Sequence, residues 1–353
     1  MKNANRVGRV DVLRALAMLS VILSHAGSLS QRISMFCICF SVQLFFFISG
    51  LFASHGFEKD FKTMLVRVAK GYLVPHVVLS VINLISASKS YPDLWGYAPL
   101  QCFMAIRGQM LIAVLWFLPC LALTTLFYWA LAKLFRKPVV RLVVCLVISL
   151  CFRIFKETSQ WFWSFDSGLM FLFYYSLGDV LMPAFTGFSF RKLSVGRRLS
   201  VVSGLALCLA LTVYSWFVYN TVEPSIFGLP YGLNTARIFT FAASASTIMV
   251  MCAVAYVLEN VRFLAIAGRY TVLTFALNGI GETLMGRIMW TLGISWMVRT
   301  DWQTVPLCFA RMLFTTFFIS IPLYYVCPPA FGGRWRDSVF VRLREKSRAR
   351  KAC

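Results

Sequence analysis

The stretch Arg9 to Gly27, RVDVLRALAMLSVILSHAG, decides the fold. It has the apolar content of a helix built to cross a membrane, yet it carries Asp11, Arg14 and His25, which are costly in lipid. Asp11 and Arg14 stand at i and i+3, so they can pair. Arg14 and His25 are eleven residues apart. That is about three turns plus roughly 20°, so a continuous helix projects both from one face, roughly 16 Å apart along its axis. Ionisable groups inside a membrane face a protein interior or a polar cavity. A cation near one membrane face and an imidazole deep in the span, on one stripe, predict a lined passage whose wall is the rest of the chain.

The composition agrees with that frame. Of 353 residues, 59% are hydrophobic and only 14% are charged, and the mean hydropathy is +0.74. This excludes an ordinary soluble domain. The net charge of +22 would suggest nucleic acid in a soluble protein. Here the cations cluster in short segments between apolar runs and acids are scarce. That is the positive-inside pattern of a multi-pass protein of the bacterial-type inner (cytoplasmic) membrane, with attraction to anionic lipid headgroups, and no nucleic-acid partner is expected. The eleven cysteines lie mostly within apolar runs and none forms a Cys-x-x-Cys pair. They read as small buried hydrophobes, and no metal site is expected. Lys2, Arg6 and Arg9 before an apolar core imitate a signal peptide. Asp11 and Arg14 interrupt that core and a second span follows at once, so an uncleaved first helix is expected.

The expected fold is all-α: a polytopic membrane protein of about ten transmembrane helices. The apolar segments are 10–29, 35–54, 71–87, 110–132, 138–154, 167–186, 199–220, 236–258, 270–290 and 304–327. With the N-terminus in the cytoplasm, the inside segments carry Lys59, Lys62, Arg67 and Lys70; Lys133, Arg136, Lys137 and Arg141; Arg191, Lys192, Arg197 and Arg198; and Arg262 and Arg269. The outside segments carry scattered cations such as Arg32, Lys89, Arg107, Lys156 and Arg299. The asymmetry is about threefold, and ten spans place both termini in the cytoplasm. Residues 1–333 then form one membrane domain, and 334–353 a basic cytoplasmic tail in contact with lipid.

The polar residues inside these spans are the candidate site. The second span returns inward through Gln43 and Phe45-Phe46-Phe47-Ile48-Ser49-Gly50, which puts Ser49 and Gly50 back at the depth of Arg14. The small pair serves close helix packing or close approach of a ligand. His25 is either a satisfied interhelical hydrogen bond or a general base, since a neutral imidazole accepts a proton near working pH. Its stripe with Arg14 favours the base. His55 falls at a loop edge, and His76, after Pro75, reads as structural. Asp179, Glu282, Arg287 and Arg311 are further buried charges. Glu282 and Arg311 fall in the outer half of adjacent spans and can pair, either for stability or to line an acceptor pocket. No HExxH, Walker, GxSxG or dinucleotide fingerprint is present.

These residues also resemble a known family. Asp11-x-x-Arg14, ten residues, then His25, followed by FFFISG at 45–50, is similar to the acyltransferase 3 family of membrane O-acyltransferases. Supporting likenesses are Arg67-x-x-Lys70 ahead of Tyr72 and Pro75, Leu115-Trp116-Phe117-Leu118, Phe173-Tyr174-Tyr175-x-Leu177-Gly178, and Gly268-Arg269-Tyr270-Thr271. One departure is Asn278, where many members carry a histidine. Asparagine exchanges hydrogen bonds but is no base at neutral pH, so the acid–base role rests on His25 alone. Lys70 stands where arginine is common, and the two differ in phosphate contact.

The resemblance implies a reaction. Acetyl-coenzyme A is the cytoplasmic acyl donor, and the acceptor is a sugar hydroxyl of a cell-surface polysaccharide or lipid-linked glycan. Arg14, Arg67, Lys70 and Ser49 are expected at the donor. His25 is the expected base and Arg14 the second catalytic residue, and Glu282, Arg311 and Asn278 are expected at the acceptor, with Asp11 and Gly50 as structural support. A polyphosphorylated donor suits cations at the cytoplasmic mouth. The rival readings are a transporter or flippase of a lipid-linked sugar, which needs no acyl-coenzyme A, and a non-catalytic scaffold, which does not require the Arg14–His25 arrangement.

Overall fold

The computed structural model describes residues 8–25, 31–88, 91–109, 115–155, 161–220, 225–226, 229–230, 233–293, 301–331, 333–334 and 337–341. The described chain is almost entirely helical. The helices of the first half are α1 (Gly8–Ser24), α2 (Gln31–Ile38), α3 (Ser41–Gly50), α4 (Phe61–Val68), α5 (Val74–Ser88), α6 (Ala98–Met104), α7 (Phe117–Leu134) and α8 (Pro138–Phe155). Those of the second half are α9 (Phe165–Met170), α10 (Leu172–Gly187), α11 (Val195–Asn220), α12 (Leu233–Val257), α13 (Arg262–Arg269), α14 (Thr271–Thr291), α15 (Asp301–Phe314) and α16 (Ile321–Val326). A two-residue antiparallel pair, Ser225–Ile226 with Leu229–Pro230, sits between α11 and α12.

Each of the ten expected segments contains helix, but not each stands alone as a span. Among the described residues seven stretches are long and apolar enough to cross a membrane, and up to nine if α9 with α10 and α13 with α14 each count as one bent span. The expectation of ten also counts α1, which is 17 residues long and holds Arg9, Asp11 and Arg14. The second and third segments differ from expectation in detail. The 35–54 segment is broken between α2 and α3, where Cys39 and Phe40 close tight turns on Phe36 and Cys37. The expected span at 71–87 begins earlier, at Phe61, because Asp60 caps α4 by accepting the Thr63 N–H at 3.1 Å. That contact also holds the Asp60 carboxyl below the usual carboxylate range.

The first helix is the axis of the bundle. Val12, Leu13, Ala15, Ala17 and Met18 are fully buried, and α1 packs against α2, α3, α12, α13, α14 and α15. Its alanines let neighbours approach, and its large side chains fill the gaps between them. A second seam joins α3 to α10. A Cβ at Gly50 would collide with the Tyr175 carbonyl, and one at Gly178 with the Phe47 carbonyl. Glycine at both positions therefore lets the two backbones touch, as small residues do between membrane helices. Phe46 wedges beside this crossing, edge-on to Phe117 and tilted against Phe171.

A buried polar network stands close to the same crossing. Arg141 Nη2 meets Asp179 Oδ2 at 2.7 Å, and the Tyr128 hydroxyl donates to the same oxygen at 2.8 Å. Arg141 Nε donates to the Tyr128 hydroxyl, and Nη1 to the carbonyls of Phe135 and Arg136. This ties α7, α8 and α10 together. The sequence places Arg141 among loop cations, but it is 4% exposed, because Asp179 and two carbonyls compensate its burial. His76 is buried, and its ring Nε2 lies 2.9 Å from the Cys102 carbonyl. No disulfide joins any two of the ten described cysteines.

Candidate active site

The site is built around the start of α1. Asp11 is 2% exposed, and its two oxygens face two arginines. Oδ1 lies 3.4 Å from Arg14, one turn on, and Oδ2 lies 3.4 Å from Arg269, the last residue of α13. The α13 helix comes this close because residue 268 is glycine: a Cβ there would strike the Asp11 carbonyl. The Arg14 guanidinium also lies over the Phe52 ring, 5.3 Å from its centroid, a cation–π contact. One carboxylate and one ring thus fix the direction of Arg14, while its side chain stays 31% exposed.

That exposed part faces a cleft. One lobe, of about 380 Å³, is lined by Arg14, Arg67 and Arg269 together with Ser49, Tyr72 and Phe275. A second lobe, of about 190 Å³, runs on past Thr125, Tyr128, Trp129 and Tyr175. The two share Ser49, Phe52, Arg67 and Tyr72. Tyr72 stands where they meet, with its hydroxyl toward Thr125 and Ser49 and within the fields of Arg67 and Arg14. It lies on a π-helical turn, Ala69–Leu73. Such turns re-aim side chains and recur at functional sites. Three arginines give the described lining of the cleft a positive character, set among aromatic walls. It suits an anionic, partly aromatic ligand with several phosphate oxygens.

The remaining expected residues separate into those near this cleft and those at the opposite end of α1. Lys70 lies on the π-helical turn but is exposed and does not line either lobe. A residue in π geometry falls out of the stripe that a regular helix would give it. Gly50 serves the α3–α10 crossing. His25 follows the last residue of α1, with its N–H bonded to the Ile22 carbonyl at 3.2 Å, so the helix ends one residue short of it. It is exposed and feels the charge of Arg311. Arg311 is 6% exposed and meets Glu282 at 2.6 Å, as the sequence allowed. Asn278, four residues before Glu282 and so on the same face of α14, has a buried side-chain oxygen with no hydrogen-bond partner. The same is true of Arg311 Nε and Thr315 Oγ1. Thr315 opens a second π-helical turn, Thr315–Ser320. His25 at the far end of α1 thus lies within the field of the Arg311–Glu282 pair, and α14 and its neighbours carry polar atoms whose hydrogen bonding is incomplete.

A family model described as an acyltransferase domain matches residues 7–325. The chain belongs to the acyltransferase 3 family. No curated protein and no solved structure matches it. As a member of the acyltransferase 3 family it is a multi-pass membrane acyltransferase, with an acyl donor and an acceptor to accommodate. Among the described residues no group of His, Cys, Asp and Glu could hold a metal ion. Two cleft residues of this acyltransferase were not singled out from sequence. Arg269 looked like a loop cation, and only its glycine neighbour hinted at close packing. Tyr72 stood in a motif without a role, and its signal was the nearby Arg67.

Proposed function

We propose that the protein is an O-acetyltransferase of the inner membrane, which moves an acetyl group from cytoplasmic acetyl-coenzyme A to a sugar hydroxyl of a cell-surface polysaccharide or lipid-linked glycan. The observation that carries the proposal is the cleft where Arg14, Arg67 and Arg269 converge at one end of α1, with His25 at the other end. In this reading the cleft opens to the cytoplasm. The three guanidiniums bind the donor's phosphates, and the aromatic wall from Tyr72 to Trp129 takes the adenine. The slim pantetheine arm runs along α1 toward His25, roughly 16 Å away by helix rise.

The chemistry then needs few groups. His25 Nε2 or Nδ1 takes the proton from the acceptor hydroxyl as the oxygen attacks the thioester carbonyl. The tetrahedral oxyanion forms, the C–S bond breaks, and coenzyme A leaves as a thiolate that accepts a proton. Asn278, Arg311 and Glu282 hold the sugar, since their polar atoms have hydrogen-bonding capacity to spare. Asn278 supplies hydrogen bonds at this position and no base, so one imidazole serves the reaction.

The test uses the full chain in lipid vesicles with labelled acetyl-coenzyme A, following thiol release. Wild type consumes the donor, while His25→Ala binds it with unchanged affinity and does not turn it over. The wild-type rate rises with pH to a plateau, because the base must be neutral. A His25→Ala variant that keeps full turnover overturns the assignment of the base. A folded wild type that neither binds nor consumes any acyl-coenzyme A overturns the donor reading, and a transporter of lipid-linked sugar takes its place.

A further inference from the structure

A second chamber, of about 490 Å³, lies between α10, α11 and α12, away from the cleft. Its wall is apolar: Leu181 and Phe185 on α10, Val202 and Leu205 on α11, and Met249 and Ala253 on α12. Phe47 and Arg9 also line it. The α3–α10 crossing separates it from the donor cleft, for Phe47 faces the chamber whereas Ser49 and Tyr175 face the cleft. An occupant here does not reach the reacting groups.

The rim of the chamber carries an excess of positive charge. Phe190, which lines it, lies in the turn Phe190–Lys192, next to Arg191 and Lys192. Arg198 sits over the Phe190 ring at 5.8 Å. It precedes Val201 and Val202 by one helical turn, so it marks the same face of α11. Its Nη2 donates to the Arg191 carbonyl at 2.6 Å, and its Nε is buried without a hydrogen-bond partner. The carboxylate nearby, Glu259, is taken by Arg9 at 2.8 Å. Among the described residues no carboxylate pairs with Arg191, Lys192, Arg197 or Arg198. An apolar chamber in a membrane fills with hydrocarbon whatever the headgroup, because lipid tails are as apolar as leucine. The cationic rim is what selects, and it selects an anion.

We propose that this chamber holds one acyl chain of an anionic glycerophospholipid, with the phosphate against Arg198 and beside Arg191 and Lys192. The lipid is a structural ligand that fastens α11 to the bundle, independent of the acyl-transfer site.

The experiment uses the purified full chain, stripped of lipid in detergent. It is then titrated with phosphatidylglycerol or phosphatidylcholine of identical chains, and bound lipid is counted by native mass spectrometry. Wild type retains one phosphatidylglycerol in preference to phosphatidylcholine. Arg198→Gln reduces that preference by about fivefold, the worth of one cation near a charged headgroup. Lys137→Gln, on another loop, leaves it unchanged. Ala253→Phe, which fills the chamber, removes retention of both lipids. Equal retention of the two lipids by wild type overturns the proposal, as does an Arg198→Gln variant with wild-type preference. A co-purified isoprenoid phosphate at this stoichiometry, identified by its mass, overturns the choice of a glycerophospholipid. The rim variant reports on selection even where Ala253→Phe fails to fold.

Discussion

Replacing Arg14 by glutamine separates donor binding from chemistry. Arg14 reaches the cleft from a buried helix and is 31% exposed, so a phosphate there keeps part of its water. A hydrogen bond to a charged group is worth about 1.5–3 kcal/mol when formed in the protein, and partial exposure favours the lower end. About 1.5 kcal/mol corresponds to roughly a tenfold rise in the donor KM. The chemical step lies about 16 Å away along α1, so kcat stays within about twofold to threefold. The fold also loses the 3.4 Å pair with Asp11 and the Phe52 contact. These are worth about 1 kcal/mol and about 0.5–1 kcal/mol at a half-exposed site. Asp11 keeps Arg269 as a partner, so no buried carboxylate is stranded and the variant folds. Arg14→Lys retains the charge without the planar fork and falls between the two. The assay is thiol release against acetyl-coenzyme A concentration in vesicles, at two salt concentrations. Wild-type KM rises more steeply with salt than that of the glutamine variant. An unchanged KM with a large fall in kcat refutes the reasoning, since Arg14 would then act at the reacting carbonyl.

Two further outcomes test the frame around the cleft. Gly178→Ala sets a methyl group against the Phe47 carbonyl and the Leu51 nitrogen. These are backbone atoms that no rotamer relieves, so stability falls by about 1–3 kcal/mol or more, read as a lower melting temperature in detergent. An unshifted melting temperature would place the α3–α10 contact elsewhere. Tyr128→Phe removes the hydroxyl that donates to Asp179 and accepts from Arg141. It costs about 1–3 kcal/mol of stability. The donor KM changes little, because the ring that walls the cleft remains; a KM shift as large as that of Arg14→Gln would move Tyr128 from the frame to the ligand.

Much of the fold is legible in the sequence because membrane helices announce themselves by apolar length. The local pairs are legible too: Asp11 with Arg14 follows from i,i+3 spacing, and Glu282 with Arg311 from matching depth in consecutive spans. What a linear reading misses is contact across the chain. Arg269 shares Asp11 with Arg14 from 258 residues away. Arg141 looks like a loop cation until Asp179 is found beside it. Lys70 and Arg67 read alike in a motif, yet the π-helical turn leaves one in the cleft and the other outside it. The break between α2 and α3 falls at Cys39 and Phe40 in a run with no glycine or proline, so composition carries no signal of a turn. The expected limit at 71 had a different cause: the charged residues 58–70 looked like a loop, and Asp60 caps them into helix.

The shared carboxylate of Asp11 has a consequence for biogenesis. Arg14 is made almost together with it, but Arg269 emerges 258 residues later, about 13–50 s at ordinary synthesis rates. During that interval α1 holds an ion pair without its final partner, and the cleft lacks one wall. The donor site therefore comes into being only when α13 docks on α1, late in insertion. A chain truncated before residue 269 carries the residues of its first helix but has no closed donor cleft.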